Sequence, residues 1–158
     1  MPEQQANQPI NLSSFADWCK HKNCLTREAR HTVEMLLEIA GTSDCDEAQK
    51  VLLNLTELHL NENQITDINP LSGLTNLTLL DLCHNQITDI TGLSALTNLT
   101  ELSLDWNQIT DITSLSALTN LTELSLDWNQ ITDIISLSAL TNLTELSLEY
   151  NNTIFLKM

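Results

Sequence analysis

The chain has 158 residues, of which 6 are Lys or Arg and 21 are Asp or Glu, giving a formal net charge of −15. A charge of that size repels phosphate backbones and anionic lipid, which argues against a nucleic-acid or membrane partner and leaves a protein or peptide with a basic surface as the expected kind. Hydrophobic residues make up 42% but aromatics only 4%, so the interior must be built from Leu and Ile, as in a regular stacked core.

Residues 1–11 are polar, hold two of the three prolines and read as a flexible tail. They lack the charged and apolar regions of a secretory leader, and no run reaches the roughly 18 apolar residues of a membrane span. The expectation is a soluble, cytoplasmic chain. Residues 12–54 differ from all that follows and carry five of the six basic residues. Ser13 or Ser14 is placed to cap a short helix through Phe15, Trp18 and Cys19, and Thr26 to cap a second. Val33, Leu36, Leu37 and Ala40 then recur at helical spacing, with Gly41 where a terminating glycine belongs. Ser43 with Asp46 resembles a capping box that opens a third helix toward Val51 and Leu52. The segment reads as a helical N-terminal cap.

From Leu55 the sequence repeats every 22 residues. Full units cover 55–76, 77–98, 99–120 and 121–142, and a partial fifth runs from Leu143 to Asn151. The third and fourth differ at one position, Thr113 against Ile135. Each opens with L-x-x-L-x-L-x-x-N, which is Leu99, Leu102, Leu104 and Asn107 in the third. Alternation around Leu102 and Leu104 predicts a short strand. Ile109, Ile112, Leu115 and Leu118 follow at spacings of three, which suits a 3₁₀ or extended return path. One such coil cannot bury its leucines alone, so the units must stack. The expected fold class is therefore an α/β repeat. It is a right-handed solenoid with a short parallel sheet on the concave face, a thin 3₁₀ or extended convex side and a helical cap. Residues 152–158 read as a tail without a proper terminal cap.

The segment LTNLTELSLDWNQITDITSLSAL, with I-T-D-I at 65–68 and N-P-L-S-G-L at 69–74, resembles the 22-residue repeat of internalin-like bacterial leucine-rich-repeat proteins. The resemblance covers residues 55–151. It implies a curved solenoid whose concave face binds another protein, and a helical cap ahead of the repeats is in keeping with it.

Several columns recur once per unit. Asn63, Asn85, Asn107, Asn129 and Asn151 are expected to point inward and satisfy buried backbone groups. Asp67, Asp89, Asp111 and Asp133 are expected to accept local backbone N–H groups at the start of the convex segment rather than to hold a metal. The Asn-Leu-Thr triplets starting at Asn54, Asn76, Asn98, Asn120 and Asn142 match the glycosylation sequon, but read as turn chemistry.

The strand-face positions are more informative. Glu101, Glu123 and Glu145 form one acidic row, Asp105, Asp127 and Glu149 another, and Trp106, Trp128 and Tyr150 an aromatic stripe. Exposed aromatics beside carboxylates are the ingredients of a protein-binding hot spot, the alternative being that the rings merely stack on each other and fill the shallow concavity. These nine residues are the candidate partner site, with a guanidinium or ammonium stacking on the rings as one form of contact. Ile154, Phe155 and Leu156, past the last coil, are candidates for self-association into a homodimer.

Cys19, Cys24, Cys45 and Cys83 lack the paired spacing of a zinc site; the first three read as free thiols buried in the cap, with a disulfide among them as the alternative, which would imply an oxidising compartment. No cofactor is expected. The phosphate-loop, zinc-protease and serine-hydrolase signatures are absent. A Cys83–His84 or Cys83–His59 pair on an open face is a remote catalytic alternative.

Overall fold

The computed structural model describes residues 10–152. Ile154, Phe155 and Leu156 therefore lie outside the described residues, as does most of the N-terminal tail.

Three helices come first: α1 (Phe15–Lys20), α2 (Arg27–Ala40) and α3 (Cys45–Leu53). Ser14 is the serine that caps α1. Its Oγ accepts the Asp17 N–H at 3.2 Å, and the Asp17 carboxylate accepts the Ser14 N–H at 3.0 Å, completing a capping box. Thr26 caps α2 by accepting the Ala29 N–H, and Gly41, at φ 69°, closes it in the left-handed conformation. For α3 the expected Ser43 box does not form. Asp44 is the cap, because its carboxylate sits one residue nearer and accepts both the Asp46 and Glu47 N–H groups, at 3.1 and 2.9 Å.

A larger correction concerns the cysteines. Cys19 and Cys45 are joined in a disulfide, and only Cys24 and Cys83 are free, Cys24 being exposed rather than buried. Packing of α1 on α3 brings the two Cα atoms to 5.6 Å, inside the window that a bridge requires. Spacing along the chain carried no sign of that closeness.

The cap then meets the first coil. Ser13 and Ser14 run so close to Gly73 that a Cβ there would lie 3.3 Å from the Ser13 carbonyl. The later units carry Ala95, Ala117 and Ala139 at this position, where no cap chain crosses. Thr32 of α2 donates its hydroxyl to the Asp67 carbonyl, and a His31 ring nitrogen lies 2.7 Å from the Asn63 carbonyl. The cap thus covers the open end of the first leucine layer.

The solenoid contributes β1 (Glu57–His59), β2 (Leu79–Asp81), β3 (Glu101–Ser103), β4 (Glu123–Ser125) and β5 (Glu145–Ser147), in one parallel sheet ordered as in the sequence. Each strand pairs with the next at an offset of one 22-residue unit, so identical repeat positions lie side by side. Leu58, Leu80, Leu102 and Leu124 point inward at 1–3% exposure, and Leu60, Leu82, Leu104 and Leu126 are fully buried. Burial of each leucine stabilises by about 1.5–3 kcal/mol, which is what drives stacking of coils that cannot fold singly. The convex side is made of the 3₁₀ turns Asn69–Leu71, Thr91–Leu93, Thr113–Ala117 and Ile135–Ala139.

Three polar columns recur along the coils, two of them bonding one coil to the next. Asn85, Asn107 and Asn129 are buried, as expected of them. Asn107 Nδ2 donates to the carbonyls of Leu104 and Leu82, both at 3.0 Å, and its Oδ1 accepts the Ile87 N–H, so one amide stitches two coils. Asp67, Asp89, Asp111 and Asp133 each accept the N–H two residues on, at 2.8–2.9 Å. The Thr113 N–H holds the Asp111 carboxyl below its ordinary range. Asn76 donates to the Leu53 carbonyl at the end of α3, and Asn98, Asn120 and Asn142 to carbonyls of the preceding coil, at 2.7–2.9 Å, so the amide nitrogens of these four sequon triplets are engaged.

Candidate functional site

Because strand register equals the repeat, the outward side chains form straight rows. Glu101, Glu123 and Glu145 occupy one registered line, continued by Leu79 and Glu57 toward the cap. Next to it run Ser103, Ser125 and Ser147, with Asp81 and His59 at the cap end, where His59 Nδ1 lies 3.9 Å from Asp81 Oδ2. A groove of about 460 Å³ lies over this sheet, lined by both rows.

The aromatic row lies on the turns that follow the strands. Its rings form one continuous stack. His84 to Trp106 is 5.3 Å between centroids, Trp106 to Trp128 is 4.3 Å and Trp128 to Tyr150 is 3.9 Å, all within 14° of parallel. The four backbones are left-handed, with φ 54–56°. For residues other than Gly that conformation costs about 1–2 kcal/mol. Each ring recovers part of the cost by stacking, at about 0.5–1.5 kcal/mol per pair beyond area burial. The stack stays outside the core: Trp106 is 45% exposed, Trp128 41% and Tyr150 64%.

Stacking also restricts what the rings can do. Both faces of Trp106 and of Trp128 are covered by neighbouring rings. A cation laid over those faces, one of the contacts expected from the sequence, has no room. Among the described residues, the ring edges and the outer face of Tyr150 are what the stack leaves uncovered. His84 was not counted in the aromatic stripe, although it occupies the same repeat position.

Asp105 and Asp127 have a second duty that sequence reasoning missed. Asp105 Oδ1 accepts the Ser125 hydroxyl at 2.6 Å and the Asp127 N–H at 2.8 Å. Asp127 Oδ1 does the same for the Ser147 hydroxyl and the Glu149 N–H, at 2.6 and 2.7 Å. One carboxylate oxygen of each is thus a lateral brace between strands. The recurrence of Ser twenty residues after each Asp was the available signal.

Cys83 stands where the later units have aspartate, its sulfur 2.8 Å from Ser103 Oγ. Burial pushes the Cys83 thiol up to about 11; a hydrogen bond from Ser103 opposes this, and the Asp81 carboxylate adds to it. At neutral pH the group is a protonated thiol, whereas nucleophilic cysteine chemistry requires a thiolate.

Stacked 22-residue coils, an inward leucine lattice and a stitching asparagine column define a class. The leucine-rich-repeat family model, described as "Leucine Rich repeats (2 copies)", matches residues 53–95, 75–118 and 97–134, and the chain belongs to that family. Within it, the protein is internalin-like. It is 44% identical to internalin C2 from Listeria monocytogenes, with a TM-score of 0.66 over 70% of this chain and 49% of that one. It is 33% identical to a leucine-rich-repeat protein of Leptospira interrogans, with a TM-score of 0.61 over 73% of this chain and 28% of that one. The chain thus spans less than half the length of either relative. No curated protein sequence matches it.

Proposed function

We propose that this chain is a protein- or peptide-binding module whose strand face and aromatic edge receive a partner with a basic surface. The observation that carries this reading is the registered row of Glu101, Glu123 and Glu145 on the strands, together with a ring stack on the following turns that stays 41–64% exposed from Trp106 to Tyr150. Exposed aromatics beside unpaired carboxylate rows supply anchor area and charge complementarity. Asp105, Asp127 and Glu149 separate the two features and extend the negative surface to the rim. The role is one of binding, with no reaction assigned.

The test is a titration with a lysine-rich peptide. Changing Trp106 and Trp128 to Ser should weaken binding about tenfold or more, while the far-ultraviolet spectrum stays native. Undiminished binding by the folded double variant would remove the aromatic edge from the site.

A second reading, self-association through the last coil, has its own observation. Leu146 is 45% exposed, whereas its counterparts Leu58, Leu80, Leu102 and Leu124 are at 1–3%. Ile154, Phe155 and Leu156 would belong to that contact.

Among the described residues no helix is long and apolar enough to cross a membrane. The Cys19–Cys45 bridge supports work in an oxidising compartment, because such bridges persist where thiols are not kept reduced. That favours a place outside the cytoplasm expected from the sequence.

A further inference from the structure

Resting on the reading of the strand face as a binding surface, we propose that the element it receives is a basic amphipathic α-helix lying along the solenoid axis, across the strands. Three features of the face converge on this shape.

The first is periodicity. Glu101, Glu123 and Glu145 are registered on adjacent parallel strands. Adjacent strands are about 4.8 Å apart, so three carboxylates span about 9.6 Å. A helix rises about 1.5 Å per residue, so cations at i, i+4 and i+7 span about 10.5 Å along one face. The misfit of about 1 Å is within reach of lysine side chains. An extended peptide repeats the same face every two residues, about 6.8 Å, and three such residues span about 13.6 Å. It leaves an outer cation about 4 Å past its carboxylate.

The second is width. The glutamate row and the ring row are five residues apart along each coil. At about 3.3 Å per residue the distance between them is at most about 16 Å. A helix with its side chains is about 10–12 Å across, which falls within that bound.

The third is the pattern of the walls. The ring edges offer an apolar stripe beside the acidic row, which matches a helix whose basic face adjoins a hydrophobic one. Leu79 interrupts the glutamates one coil nearer the cap and lines the same groove. The bound helix therefore carries an apolar residue, not a cation, at that end of its basic face.

The experiment uses the whole chain and two synthetic peptides of equal length, lysine count and net charge, each of about 16 residues. One is lactam-stapled as a helix with Lys at i, i+4 and i+7 and Leu on the adjoining stripe. The other places Lys at alternate residues and is kept extended by proline. Titrations are followed by indole fluorescence. The stapled helix should bind at least about tenfold more tightly than the extended peptide. The E101Q/E123Q/E145Q variant should lose that advantage, with its thermal melt showing that it is folded. Equal or tighter binding by the extended peptide overturns the helical partner but leaves a basic-surface site standing. No binding by either peptide overturns both. A folded triple variant that keeps the preference overturns the placement on the glutamate row.

Discussion

Asn107 shows what a single side chain does in this architecture. It reaches the Leu82 and Leu104 carbonyls and accepts the Ile87 N–H, all in a buried seam. Leucine at this site would keep the volume and leave those backbone groups unpaired, each at about 1–3 kcal/mol. Asn107→Leu is therefore expected to lower unfolding stability by at least about 2 kcal/mol, read from urea denaturation; a midpoint equal to the native one would contradict the stitching role. The two free thiols differ in a way that is also local. Cys24 is exposed, whereas burial lifts Cys83 to about 11. A raised thiol value means that the reactive thiolate is scarce until the pH approaches that value. At pH 8 a disulfide reagent should therefore modify Cys24 rapidly and Cys83 slowly, with the slow phase accelerating as pH rises toward 11. Two equal fast phases would refute the assignment.

At the scale of elements, the cap depends on one covalent link and one crossing. The disulfide ties α1 to α3, and α1 enters where Gly73 admits the chain. A bridge of this kind stabilises by about 2–4 kcal/mol, largely by restricting the unfolded chain. Reduction, or the C19S/C45S change, is expected to lower the melting temperature and to speed hydrogen exchange first in α1 and in the first coil. Unaltered exchange there would show that packing alone holds the cap. The elements also differ in how far their sequence foretells them. The repeats announce their strands, turns and buried columns because each position recurs four or five times with the same constraint. The cap has no such redundancy: its helices follow from apolar spacing, but the Asp44 cap and the Cys19–Cys45 bridge depend on contacts between helices. The ring stack falls between these cases. Its row was legible from the repeat, while the closing of the Trp106 and Trp128 faces required the left-handed turns that bring successive rings together.

For the whole molecule, one sheet edge is protected and the other end is less so. The cap shields the first coil, while Leu146, in the last strand of the described residues, is 45% exposed. If association uses that end, light scattering should give a mass that rises with concentration, and Leu146→Lys should hold the chain monomeric. A concentration-independent monomer from the native chain would dispose of the second reading. The two functions then separate by position, one on the strand face and the other on the terminal layer.

The near-identity of the third and fourth units has a wider meaning. Their junctions are interchangeable: the Asp105 brace reaches Ser125 and Asp127 just as the Asp127 brace reaches Ser147 and Glu149. Inserting another copy of residues 99–120 would create no new kind of seam. It would extend the strand face by one glutamate, one ring and one leucine layer, as a ruler gains a graduation. Genetic duplication thus lengthens the face by whole steps, with the cap and the existing contacts left as they are.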